Sequence, residues 1–338
     1  MRNLKSTLKR YIIDAMGAMA QGLFASLLIG TIIKTIGQQL GVETLVTLGD
    51  YAAAMAGPAM ACAIGYALHA DPLVLFSLAA VGFAANQLGG AGGPLAVYVI
   101  AIAASELGQL VSRKTKVDIL VTPAATVLTG VGLSLLLAPA IGTAASTVGN
   151  VIQWATAQQP FLMGMLVSVV VGCTLTLPLS SAAICAALSL TGLAGGAAIA
   201  GCCAQMVGFA VMSFRENGVS GLISQGLGTS MLQMPNIIRN PRVWLPPIFA
   251  SAIAGPIATC LFHLEMNGPA VSSGMGTCGL VGPIGIITGW STTGYTPALM
   301  DWLGFGLICF ILPAMLSLLF CRILRYISWI KPGDLKLK

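Results

Sequence analysis

YIIDAMGAMAQGLFASLLIGTII, residues 11–33, carries one charged side chain, Asp14, in an otherwise apolar or weakly polar run. A hydrocarbon core about 30 Å thick needs about 20 such residues in a helix, so the run reads as a membrane span. Upstream, Met1 to Arg10 is basic, as the start of a secretory signal is, but the apolar run is too long for a signal core and no convincing cleavage site follows. The segment is therefore expected to stay as the first span. Downstream, the same test selects 45–68, 73–90, 94–112, 117–138, 160–178, 192–213, 243–264 and 303–325. The stretches 140–157, 179–190, 218–235 and 274–291 are also apolar but rich in Gly, Pro, Ser and Thr, which suits interfacial helices or re-entrant hairpins. The expectation is an all-α polytopic membrane protein with about ten transmembrane helices.

Composition supports that solvent. Of 338 residues, 57% are hydrophobic and 8% charged, against roughly 25% charged in soluble domains. No polar block is long enough to fold separately, so 1–338 reads as one membrane domain. The net charge of +6 does not mark a nucleic-acid binder, because the basic residues sit in short clusters between apolar runs. They orient the chain instead, since loops rich in Lys and Arg stay in the cytoplasm. Arg2, Lys5, Lys9 and Arg10, then Arg113, Lys114 and Lys116, then Arg322, Arg325, Lys331, Lys336 and Lys338 place both termini inside. Arg215, Arg239 and Arg242 assign 214–242 to the same side, where it is expected to form a short amphipathic helical hairpin at the membrane surface.

Glycine, with 41 copies, has two readings. In TGLAGGAAIAG (191–201) it suits close helix packing. In NQLGGAGGP (86–94) and SSGMGTCGLVGPIG (272–285), interleaved with polar side chains, it suits broken helices, whose freed backbone groups are tolerated at membrane depth only in protein or beside a wet cavity. Such helices build solute sites in transporters.

Polar side chains within apolar stretches become candidate solute ligands. FHLEMNGP sets His263, Glu265 and Asn267 at the end of an apolar run, just before 272–285. A carboxylate and an amide accept from and donate to adjacent hydroxyls, the chemistry a sugar or polyol needs; the alternative is that they face water. Asn86 and Gln87 either line a cavity or bond helix to helix. Ser180 and Ser181 follow Pro178 in TLPLSSAA, where the alternative is a plain kink. The Glu216 of FREN reads as structural. His69, beside Asp71 and Pro72, reads as a loop residue. The nine cysteines show no metal or redox spacing and read as small packing residues. There is no HExxH, GxxxxGK[ST] or GxSxG, so no cofactor and no chemistry on this chain are called for.

GLGTSMLQMPNIIRNPRVWLPPIFASAIAGPIATCLF (226–262), followed by EMNGPAVSSGMGTCGLVGPIG (265–285), resembles the small IIC-type membrane components of the bacterial phosphotransferase system, in the branch described as sugar-specific IIC and perfringolysin-regulator-like proteins. The resemblance covers most of the chain and is strongest over 217–290. It implies a homodimer in the inner or plasma membrane and a glucose-superfamily-like elevator fold with about ten helices. It also implies two re-entrant hairpins around a sugar, and phosphorylation by separate IIA and IIB proteins. By position, 178–181 and 272–285 would be the hairpin tips, with 11–158 rich in scaffold, 159–325 carrying substrate and 326–338 a cytoplasmic tail. Glucose-type members use a Gly-Ile-Thr-Glu motif and a histidine; here Thr277 is followed by Cys278, and Glu265 with His263 stands nearest to that pair. The expected pocket has Glu265, Asn267, His263, Gly276 and Thr277 on one side and Asn86, Gln87, Ser180 and Ser181 on the other. The rival readings are a membrane sensor that signals through 214–242 and the tail, and a carrier for an apolar or amphipathic compound, consistent with 15 methionines.

Overall fold

The computed structural model describes residues 9–337; Arg2, Lys5 and Lys338, and with them part of the orientation signal, lie outside it, and of Lys9 only the backbone is described. The described residues are helical, and no strand is found among them. Six helical runs are long and apolar enough to cross a membrane: Arg10–Leu40, Pro72–Val111, Asp118–Thr156, Gly192–Met212, Pro241–Leu261 and Leu299–Tyr326, with Pro160–Thr176 a shorter apolar helix. The chain divides into two compact units, residues 1–146 and 147–338.

In the first unit, α1 (Arg10–Leu40) ends at Gly41, whose φ of +67° takes the left-handed conformation glycine adopts at no steric cost. There Val42 N–H donates to Gly37 O at 2.8 Å, and α2 (Glu43–Ala54) turns back along α1. The expected single span 45–68 is two helices, α2 and α3 (Ala56–Ala67), meeting at Met55. The run Pro72–Val111 is likewise an antiparallel pair, α4 (Pro72–Gly89) and α5 (Gly93–Val111), reversed at Gly90, where φ is +49°. Its far end is tied by Asp71, which pairs with Arg113 and accepts from Ser112 Oγ at 2.9 Å.

α6 (Asp118–Thr156) corrects a second expectation. Residues 117–138 and 140–157, read as a span and as an interfacial helix or re-entrant hairpin, lie almost wholly in one helix of 39 residues, about 58 Å long. Pro123 and Pro139 are accommodated inside α6 rather than ending it, as prolines are in membrane helices where neighbouring helices, Ser or Thr side chains and local adjustments answer the freed backbone groups.

The second unit is built on α9 (Gly192–Met212), apolar all round and almost wholly buried, as such a helix must be. Around it pack α7 (Pro160–Thr176), α12 (Pro241–Leu261) and α15 (Leu299–Tyr326). Small residues recur every fourth position on α7 (Gly164, Ser168, Gly172) and α12 (Ser251, Gly255, Thr259), the spacing that lets helix backbones touch in a membrane. A Cβ on Gly201 would overlap the Ser168 carbonyl, and one on Gly255 the Gly164 carbonyl. Ser168 Oγ donates to Ser251 O at 2.7 Å, joining α7 to α12.

The segment 214–242 departs from the expected surface hairpin. α10 (Phe214–Ile223) breaks at Gly218, a wide turn over 224–228 follows, Thr229 is extended, and α11 (Met234–Arg239) is one short helix. Gln225, Gln233 and Asn236 are buried, and their amides form a chain: Gln233 Nε2 donates to Gln225 Oε1 at 2.8 Å and Asn236 Nδ2 to Gln233 Oε1 at 2.7 Å. The C-terminal segment covers them. Gln233 and Asn236 also donate to the carbonyls of Leu335 and Lys336, and Glu216 pairs with Arg325 rather than with its neighbour Arg215.

Candidate functional site

After α12 the chain enters a segment, 264–294, that folds back on itself. Its base is pinned to the first turn of α9 by reciprocal backbone bonds between Gly192 and Met266, at 2.8 and 2.9 Å. It continues through α13 (Ala270–Ser273), reverses, and returns as α14 (Val281–Thr293), whose Gly285 and Gly289 lie against the backbone of Asn267 and Gly268. The reversal is made at Gly276, Gly279 and Leu280, with φ of +52°, +52° and +58°. The first two need glycine; Leu280 accepts a left-handed turn at a cost of order 1–3 kcal/mol. The reversal nests against Cys202 and Cys203, halfway along α9, and Thr277 donates to Gly226 O.

At the base lies a cavity of about 760 Å³, lined among others by His263, Glu265, Asn267, Trp290, Tyr295 and Asp301. Asn267 Nδ2 donates to Glu265 Oε2 at 2.8 Å, which holds the carboxylate beside its amide. Tyr295 OH donates to Asp301 Oδ2 at 2.9 Å, and that carboxylate also accepts from Ala298 N at 2.8 Å, at the first turn of α15. The bond to Asp301 pushes the exposed Tyr295 phenol above its ordinary pKa, and the nearby charge of Glu265 acts in the same direction. The phenol therefore remains a donor throughout the neutral range. Trp290 meets Trp302 edge to face at 5.1 Å and forms the apolar wall. The cavity thus offers two carboxylates, an amide, a phenol and an indole, which together suit a polyhydroxylated solute.

Sequence reasoning placed nine residues at one pocket, and the second unit separates those it contains. His263, Glu265 and Asn267 share the cavity. Gly276 and Thr277 lie at the reversal, where Gly276 abuts α9. Ser181 Oγ donates to Gly274 O at 2.7 Å and thereby attaches α8 (Ser181–Ala187) to the reversal, while Ser180 Oγ caps that helix by accepting from Ala183 N at 3.2 Å. Asn86 and Gln87 belong to the first unit, at the end of α4, where Asn86 fills the space beside Gly93.

The reasoning missed Trp290, Tyr295 and Asp301, whose only signal was an Asp-Trp pair opening the last apolar run. It also missed Gln205, an amide inside the apolar α9. Gln205 is fully buried; its Oε1 accepts from Thr176 at 3.1 Å and from the Trp244 indole at 2.8 Å, while its Nε2 has no partner among the described residues. A buried unpaired amide nitrogen costs about 1–3 kcal/mol, which marks the middle of α9 as polar ground.

Compared with known families, residues 13–337 match the one described as Phosphotransferase system, EIIC. No curated protein matches the sequence.

Proposed function

Because the chain belongs to the EIIC family of the phosphotransferase system, we propose that this multi-pass protein of the bacterial inner membrane carries a sugar or related polyhydroxylated solute across the membrane. The observation that carries the reading is the cavity of about 760 Å³ in which Glu265, Asn267, Tyr295 and Asp301 face an indole wall. Glu265 and Asp301 would accept from solute hydroxyls, Asn267 would donate, and Trp290 would stack on the ring. The folded-back segment 264–294 and the α7–α8 turn are the two re-entrant hairpins of this reading, in a chain of about ten crossings. Gly276, Thr277 and Ser181 then stand at the depth the solute reaches midway. The first unit serves as scaffold and the second moves with the solute, as an elevator, in a homodimer with both termini in the cytoplasm. Phosphorylation, where it is coupled, is supplied by separate IIA and IIB proteins.

The test is a thermal-shift screen of the purified chain against sugars, polyols, nucleosides and carboxylates. A ligand at 100 times its Kd stabilises a fold by about 2.7 kcal/mol. Glu265→Gln removes a charge-assisted acceptor worth about 1.5–3 kcal/mol, a loss in affinity of roughly ten- to a hundredfold. Unchanged affinity in that variant would remove Glu265 from the site, and stabilisation by amphipathic molecules alone would sink the sugar assignment.

A further inference from the structure

A second cavity, of about 360 Å³, opens at the other end of α9, between its last turn, α10 and α15. Its walls are apolar, from Val211, Met212, Phe214, Leu222 and Leu318, and three arginines, Arg215, Arg322 and Arg325, stand around them. Among the described residues, neither Arg215 nor Arg322 makes an ion pair or a hydrogen bond, and both are exposed. Arg325 is partly engaged: its Nη2 holds Glu216 Oε1 at 2.8 Å and reaches Met212 O at 3.5 Å, while its buried Nε has no acceptor among the described residues. Two free guanidiniums beside one apolar pocket call for an anion with several oxygens, since guanidinium forks match phosphate geometry.

The surroundings say which kind of phosphate. The outer face of α15 leading to the pocket is apolar and open, with Met315, Leu319 and Ile323 each about half exposed or more, and Tyr326 at 91% closes it in the manner of an interfacial anchor. A soluble phosphate would gain nothing from Phe214, Leu222 and Leu318, whereas an acyl chain would fill the space between them. Basic pockets between membrane helices on the positive side are where anionic headgroups settle.

We propose that this pocket binds an anionic glycerophospholipid, its phosphate held by Arg215, Arg322 and Arg325 and one acyl chain lying along Phe214 and Leu318. The site is separate from the solute cavity and does not depend on what that cavity carries. Through Arg325 the headgroup reaches Glu216, whose other oxygen accepts from Leu335 N at 2.9 Å, so an occupied pocket also steadies the C-terminal segment.

The full-length chain, purified in detergent and stripped of lipid, is titrated with phosphatidylglycerol, phosphatidylcholine and inorganic phosphate. Bound lipid is read by native mass spectrometry, and the thermal midpoint is followed in parallel. Phosphatidylglycerol is expected to bind at least tenfold more tightly than phosphatidylcholine. Arg215→Gln with Arg322→Gln should lower its affinity at least tenfold, and so should Leu318→Trp, which fills the pocket and leaves every charge in place. Equal retention of the two lipids, or unchanged phosphatidylglycerol binding in the variants, overturns the site. Inorganic phosphate that raises the midpoint as much as phosphatidylglycerol, and displaces it, overturns the lipid assignment in favour of a soluble anion.

Discussion

Gly201→Leu is expected to leave almost no folded protein in detergent extracts, whereas Gly132→Ala should be recovered at wild-type yield with an unchanged or slightly higher thermal midpoint. The contrast follows from where each backbone stands. At Gly201 the α9 backbone touches that of α7, and even a methyl group would fall onto the Ser168 carbonyl. A carbonyl oxygen in a helix cannot rotate aside, so the helices must separate. Separation also opens the neighbouring contacts, because Ser251 Oγ reaches Gly201 O at 3.4 Å and Ser168 Oγ reaches Ser251 O at 2.7 Å. Overpacking a tight interior costs about 1–3 kcal/mol where side chains can yield; here backbone must yield, and the loss should exceed about 4 kcal/mol, the range reserved for named structural failures. Gly132 has nothing within 4 Å of an added Cβ, so alanine there brings only its better helix propensity, about 1 kcal/mol. Monodisperse elution of Gly201→Leu with a midpoint near wild type would show that α7 and α9 are free to part.

The same contacts explain how much of the fold could be read from the chain. Apolar runs marked the long helices, and the glycine clusters at 86–94 and 272–285 marked two reversals, because Gly90, Gly276 and Gly279 need left-handed backbone that few other residues accept. What could not be read depends on partners distant in sequence. Gln225, Gln233 and Asn236 look like the polar face of a surface helix, yet they are buried: backbone groups about 100 residues later answer Gln233 and Asn236, and Ser213, Gly221 and Gln233 answer Gln225. Pro139 looks like the end of a helix, yet it lies inside α6, because a membrane helix can carry a proline where other groups answer the freed carbonyl. At the cavity beside the base of 264–294, His263, Glu265 and Asn267 stood out as the polar end of an apolar run, while Trp290, Tyr295 and Asp301 join them only through the return of α14. Gln205 was hidden by its setting, one amide in a run otherwise suited to helix packing.

Removing residues 331–338 is expected to lower the stability of the second unit by about 4 kcal/mol, because residues 334–337 are held as a bound peptide would be. Asn217 donates to Leu335 O at 2.8 Å and accepts from Leu337 N at 2.8 Å, reproducing the reciprocal bonding of two strands. Glu216 accepts from Leu335 N, Asn240 Nδ2 donates to Asp334 Oδ2 at 2.8 Å, and the Leu335 side chain is fully buried. Each such hydrogen bond contributes about 0.5–1.5 kcal/mol net, and burial of one leucine about 1.5–3 kcal/mol; hydration of the exposed amides returns part of the loss. Asn217→Ala, which removes two of the bonds and leaves the tail in place, should cost about 2 kcal/mol. Tryptophan fluorescence during heating reads both variants, and a truncated chain that melts with the wild type would mean the segment adds nothing to the unit. The size of this effect bears on the regulator reading, in which 214–242 and the tail form a signalling surface. Loss of output on truncation would then report a loosened unit as readily as a lost contact, so the two readings separate only in a variant that silences output while its melting point and its solute affinity stay where they were.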